Sequence, residues 1–214
     1  GLAGKLGNGL FESFLREVSE KYVVTYRVLD AVEYGVPQKR RRLFVLGFRR
    51  DLGVSPAFPK PTHGPKAGRP CVTAGEAIGD LDDGVVNEDE VPGGKWGHLL
   101  SRIPPGMNYI WLTEKHSETP VFRYRSRYWS FLLKLHPDKP SWTIPANPGP
   151  YTGPFHWRSR RLRIQEVKRL QTFPDGWFLA GSPKEQWQQL GDAVPPLLAQ
   201  RIGEEILRRI AAVI

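Results

Sequence analysis

The stretch Tyr34-Gly35-Val36-Pro37-Gln38-Lys39-Arg40-Arg41-Arg42, followed at once by Leu43-Phe44-Val45-Leu46-Gly47, constrains this chain more tightly than any other. Gly35 and Pro37 impose a turn, and Gln38, Arg40 and Arg42 then recur at period two, so in extended backbone all three project from one face. The apolar run 43–46 is short, as suits a buried strand anchoring those donors to a rigid sheet. Guanidiniums held in that way fit a planar acceptor such as a phosphate or a base carbonyl. The same residues also read as a basic edge strand facing water, and the stretch alone leaves both readings open.

The flanking pattern is that of an α/β protein. Helical spacing of Leu10, Phe11, Phe14, Leu15 and Val18 predicts a helix over 10–21, capped by Asn8. β-Branched and aromatic residues over 22–29 predict a strand that pairs antiparallel with a second one over 42–48. Gly4, Gly7 and Gly9 follow no strand, so they read as an ordinary loop rather than a phosphate cradle. Residues 51–69 are rich in Pro, Gly and Lys and form a linker. Thr73 and Glu76 make a capping box for a short helix ending near Leu81. Asp80, Asp82, Asp83, Glu88, Asp89 and Glu90 lack calcium-ligand spacing and read as a solvated acidic loop.

Residues 92–157 show no sustained periodicity, as expected of a small irregular domain; within it Arg123, Arg125 and Arg127 fall on one face of an extended segment and could straddle a DNA backbone. Ile164, Val167 and Leu170 then set a helical stripe closed by the turn Phe173-Pro174-Asp175-Gly176. Ser182 and Glu185 box the start of a helix that Gly191 can end, and Leu198, Ile202, Ile206 and Ile210 mark a final one.

Charge is concentrated. The chain carries 31 Lys+Arg against 22 Asp+Glu, but residues 121–170 hold 11 basic and 2 acidic side chains, so the other 164 residues carry 20 of each and sum to zero. A neutral scaffold with one basic segment rich in Tyr, Trp and Phe suits nucleic acid, because cations meet phosphate and bases pack on aromatics. A sheet-borne RNA module is disfavoured because the aromatics are scattered in sequence. The single cysteine, Cys71, excludes a disulfide framework, fits a reducing compartment and has no nearby base to activate it. The five histidines are too far apart to ligate a metal, and no apolar run approaches the ~20 residues of a membrane-spanning helix.

Three stretches, in this order, resemble the C-terminal half of the DNA (cytosine-5)-methyltransferases: the Gln-x-Arg-x-Arg of Gln38, Arg40 and Arg42; Arg169-Leu170-Gln171-Thr172-Phe173-Pro174-Asp175, preceded by Arg161, Arg163 and Glu166; and Gly191-Asp192-Ala193-Val194. The resemblance implies the C-terminal part of a Rossmann-like, S-adenosylmethionine-dependent methyltransferase sheet with a small irregular target-recognition domain. It divides the chain into 1–50 (end of the catalytic domain), 51–157 (linker and target-recognition domain) and 158–214 (helices returning to the catalytic domain).

In such enzymes a cysteine thiolate adds to C6 of a cytosine flipped out of duplex DNA, and C5 then takes the methyl group. The resemblance makes Gln38, Arg40 and Arg42 the holders of that cytosine. It places Gly191, Asp192, Ala193 and Val194 on the S-adenosylmethionine pocket and has Arg161, Arg163, Glu166 and Arg169 organise the recognition domain, the arginines also serving as DNA contacts. Arg102, Asn108, Arg123, Arg125 and Arg127 are the candidate DNA contacts of the irregular segment. The family's Gly-rich cofactor loop, Pro-Cys-Gln nucleophile and Glu-Asn-Val motif do not occur here, and Pro70-Cys71-Val72 lies on the wrong side of Gln38 to replace the nucleophile. Asp192 also stands where the family has Asn. The implied protein is a fragment or split subunit of a prokaryotic, cytoplasmic restriction-modification enzyme. It would be inactive alone and would complete its cofactor site with the N-terminal half. A non-catalytic DNA-binding partner of a methyltransferase is the rival expectation.

Overall fold

The computed structural model describes residues 8–213. Gly4, Gly7 and the Asn8 side chain, on which the expected cap rests, lie outside what is described, and Gly9 is helical. Helix α1 spans Asn8–Ser19, and strands β1 (Tyr22–Asp30) and β2 (Arg41–Arg49) pair antiparallel with Tyr22 opposite Arg49 and Asp30 opposite Arg41. Among the described residues this two-stranded ribbon is the only sheet, so the Rossmann-like detail of the expectation is not seen.

A ribbon has two faces. One packs Phe44 and Leu46 against Leu198 and Ile202 of helix α6 (Pro196–Ala211), together with Leu29, Tyr34, Val36 and Phe58. The other is only partly covered by α1, where Phe11 meets Tyr26 edge-on at 5.0 Å. Leu10 stays 68 % exposed and Tyr26 53 % exposed, so the buried strand expected at 43–46 is half-buried instead. Between the strands a buried 3-10 turn, Ala31–Tyr34, ends at Gly35 with φ +90°, where a Cβ would lie 2.9 Å from the His63 ring. Only glycine meets both demands.

Two further apolar clusters organise the rest. The short helix α2 (Ala74–Ile78), boxed by Thr73 and Glu76 as expected, packs Ala74 and Ile78 on Val167 and Leu170 of α4 (Ile164–Leu170). Leu190 of α5 (Pro183–Asp192) joins the same cluster with Leu135 and Ile144. The third cluster belongs to the irregular segment around the short helix α3 (Gly94–Gly97): Leu99, Leu100, Ile103, Tyr109, Leu112, Leu132 and Phe155. Its aromatic rings, scattered in sequence, converge edge-to-face, with Phe122 5.0 Å from Trp96 and 5.6 Å from Phe131. Such pairs replace the regular backbone ladder that this segment lacks.

The acidic loop is largely exposed, as expected, but four of its acids are paired with arginines. Asp80 pairs with Arg169 at 2.6 Å, Asp82 with Arg158 at 3.0 Å, Asp83 with Arg163 at 2.9 Å and Glu90 with Arg163 at 2.5 Å. Side-chain hydrogen bonds from Arg163 and Arg169 hold the Glu90 and Asp80 carboxyls below their usual range. The acids from 80–90 thus neutralise one half of the basic segment, residues 158–169. Sequence shows both charge runs but not that the fold lays one on the other.

Candidate functional site

The three motif stretches meet at one buried point. Gln38 is fully buried; its Nε2 donates to the Leu170 carbonyl at 3.3 Å, and its Oε1 accepts from the Ile144 amide at 3.2 Å. Arg40, 2 % exposed, donates from Nη1 to the Ile144 carbonyl at 3.2 Å and from Nη2 to the Gly191 carbonyl at 2.6 Å. Gln171, also fully buried, donates to the Leu190 carbonyl at 2.5 Å. The turn after Pro37, the end of α4 and the end of α5 are therefore bolted to one another through backbone carbonyls. Buried carbonyls left without donors would each cost about 1–3 kcal/mol.

This corrects the expected row of exposed donors. Residues 38–40 precede β2 and run beside residue 141, with Lys39 N–H on the Ser141 carbonyl and Ser141 N–H on the Pro37 carbonyl, both at 2.8 Å. Period two holds there, but it sends Gln38 and Arg40 inward and Lys39 outward. Arg42, inside β2, is exposed and bonds the Arg41 carbonyl at 2.8 Å. Burial, then the Arg42 charge, pull the Arg40 guanidinium down to about 10, with Asp192 opposing them.

Gly191 does not end α5, which runs on through Asp192. It lies against the chain at 145–146, where a Cβ would sit 2.4 Å from Ala146 Cα and 2.8 Å from the Pro145 carbonyl carbon. Neither neighbour is a side chain that can swing away. Gly191→Ala is expected to lower stability by roughly 1–3 kcal/mol or more as α5 is pushed off residues 145–146. Thermal unfolding checks this, and an unchanged midpoint would show that the contact yields freely. Beyond Gly191, Asp192 and Val194 are exposed and Ala193 half-buried. Asp192 lines an open depression of about 460 Å³ with Glu185 and Gln189.

A second buried group holds the start of α4. Arg160 and Glu166 are both fully buried and paired bidentately, Nη2 to Oε1 at 2.6 Å and Nη1 to Oε2 at 2.9 Å, and Oε2 also accepts from the Arg163 amide at 2.7 Å. His156 Nε2 stands 3.6 Å from Glu166 Oε1, while His156 Nδ1 accepts from the Arg158 amide at 3.1 Å. Burial and the Arg160 charge push His156 down to about 3, so the ring is neutral. Sequence reasoning missed Arg160 and His156; only Glu166, placed as the third residue of a helix, carried a local signal.

The expected DNA contacts separate into groups. Arg163 and Arg169 have carboxylate partners, and half-buried Arg161 donates to the Pro150 carbonyl at 3.3 Å. Asn108 is a cap: Oδ1 accepts from the Ile110 amide at 3.0 Å and Nδ2 donates to the Trp129 carbonyl at 2.5 Å. Its amide is therefore used at both ends rather than free to read a base. Arg102, Arg123, Arg125 and Arg127 are exposed, although a 3-10 turn over Ser126–Tyr128 breaks the expected extended run. No cluster of three His, Cys, Asp or Glu side chains forms among the described residues, and no helix of the described chain is long and apolar enough to cross a membrane.

The described chain is an α/β edge bolted by buried Gln and Arg side chains to a small irregular unit. A prophage-encoded E. coli chain described as a DNA modification methyltransferase superimposes with a TM-score of 0.63 at 19 % identity, over 99 % of this chain and 67 % of its own length. The chain belongs to the C-5 cytosine-specific DNA methylase family, whose profile matches residues 8–208. It is 39 % identical to the type II methyltransferase M.SacI of Streptomyces achromogenes over 98 % of this chain and 58 % of that protein. It is 36 % identical to M.BbvI of Brevibacillus brevis over 98 % and 55 % respectively. The chain thus spans a little over half the length of these relatives.

Proposed function

We propose that this chain is the C-terminal portion of a type II DNA cytosine-5 methyltransferase, which binds duplex DNA, helps hold a flipped cytosine and closes the cofactor pocket from the C-terminal side. The observation that carries the reading is the meeting of three distant motifs at Gln38, Arg40 and Gly191, with Arg42 left exposed at the end of the strand they brace. The braces hold Arg42 on a fixed backbone, so its guanidinium can meet a base carbonyl or phosphate with no backbone left to order at the moment of binding. Gln38 and Arg40 act here as positioning residues, and the DNA-facing cations are Arg42, Arg102, Arg123, Arg125 and Arg127.

S-Adenosylmethionine supplies the methyl group when bound. Asp192, exposed at the end of α5, has the charge its ammonium requires, and Val194 offers apolar surface beside it. These residues form one wall of a pocket whose remainder belongs to the N-terminal half. The uncovered face carrying Leu10, Phe14, Tyr26 and Val28 suits the docking of that half.

The chain alone is expected to transfer no methyl groups, and addition of a polypeptide carrying the N-terminal half is expected to restore transfer from labelled S-adenosylmethionine to duplex DNA. Arg42→Ala should then remove most of that activity while shifting stability by no more than about 0.5 kcal/mol. Methyl transfer by the chain alone, or full activity of the Arg42 variant in the mixture, would refute the reading.

A further inference from the structure

We infer that the indoles of Trp129 and Trp142 form a stacking platform for a nucleobase that has left the double helix; this rests on the DNA-binding function proposed above. The two rings, apart in sequence, lie with centroids 5.4 Å apart at 57°, and remain 47 % and 36 % exposed. Aromatic rings exposed to this degree forgo part of the stabilisation that full burial would give.

Their backbones, by contrast, are fixed. The Trp129 carbonyl accepts from Asn108 Nδ2 at 2.5 Å, and the Trp142 carbonyl accepts from the Ser141 hydroxyl at 2.8 Å. Ser141 is fully buried and exchanges backbone bonds with Pro37 and Lys39, so Trp142 rides on the same bridge that carries Gln38 and Arg40. The Thr143 hydroxyl adds a bond to the Lys39 carbonyl at 2.6 Å. The platform is anchored through its backbone hydrogen bonds, and both rings keep surface open to solvent.

Its surroundings specify the occupant. Lys39 Nζ lies 4.9 Å from the Trp142 ring, and exposed Arg125 and Arg127 precede Trp129 in the chain. Aromatic faces among cations match a base attached to a phosphate backbone, and they match neither an acyl chain nor a neutral apolar peptide. In paired DNA the π-faces are already covered by neighbouring bases. Only an unstacked base can use the indoles, so the platform confers preference for DNA in which a base is displaced. Both a displaced cytosine and the partner it leaves behind have such a face.

The test measures binding of the 214-residue chain to labelled duplexes by anisotropy: one fully paired, one with a single bulged dC, one with a single bulged dG. The bulged duplexes are expected to bind about 10-fold tighter than the paired one, in line with stacking on one aromatic side chain. The bulge preferred identifies the source of the base. Trp129→Ala and Trp142→Ala should each bring this preference to within about twofold without weakening binding to the paired duplex, and Trp142→Phe should retain most of it. A 2-aminopurine placed in the bulge should be quenched by the wild type and not by the alanine variants. Equal affinity for bulged and paired duplexes, or an unquenched probe, overturns the platform and leaves DNA binding standing. Absence of binding to all three duplexes overturns the platform and the DNA-binding function together.

Discussion

Glu166→Gln is expected to destabilise the fold by roughly 3–5 kcal/mol, the cost of leaving one charge of a buried pair without its partner. Glu166 and Arg160 are both fully buried, and the carboxylate closes two bonds to the guanidinium and one to the Arg163 amide. The amide of Gln keeps the volume but removes the charge, and it directs one NH₂ group at a guanidinium that can only donate. The neutral His156 cannot compensate, and Glu90, 3.8 Å from Arg160 Nε, is already engaged by Arg163. Since domains are typically stable by about 5–15 kcal/mol, this is a large fraction of the total. Urea unfolding should show a much lower midpoint at unchanged slope, and Arg160→Met added to Glu166→Gln should recover part of the loss. An unchanged midpoint would mean that the pair does not hold α4 in place.

Arg40→Ala is expected to cost roughly 2–5 kcal/mol, because it leaves the Ile144 and Gly191 carbonyls without donors and opens a cavity where a large side chain is 2 % exposed. Arg40→Lys should recover little, since an ammonium cannot span two carbonyls as a planar fork does. The informative contrast is with Arg42→Ala, two residues on and exposed. Arg40 variants should lower the unfolding midpoint and with it the activity of the reconstituted enzyme, whereas the Arg42 variant should lose activity at a near-normal midpoint. Equal midpoints for the two variants would show that Arg40 is not a brace.

The contrast also marks where sequence reading and fold part company. Alternation at Gln38, Arg40 and Arg42 was legible, but the inward direction of Gln38 and Arg40 depended on a neighbour 104 residues away, the 141–144 segment, whose Ile144 carbonyl accepts from Arg40 and whose Thr143 hydroxyl donates to the Lys39 carbonyl. The basic segment was legible as a count, yet half of its arginines answer acids from residues 80–90. Asn108 read as a polar side chain free to reach a groove, and its amide is consumed by a cap and by the Trp129 carbonyl.

Most of what was legible along the chain is governed by near neighbours. The strand pair and its turn, the boxes at Thr73 and Ser182 and the final helix follow from dihedral preference, capping and periodicity over a few residues, and the three motifs were legible by resemblance. Only the tertiary structure decided which polar groups would be buried and which left in water. A guanidinium has the same local signature in both places, and its fate depends on whether a distant carbonyl or carboxylate arrives to replace its hydration. That is why Arg40 and Arg160 became braces, Arg163 and Arg169 ion pairs, and Arg42, Arg123, Arg125 and Arg127 the cations left in water.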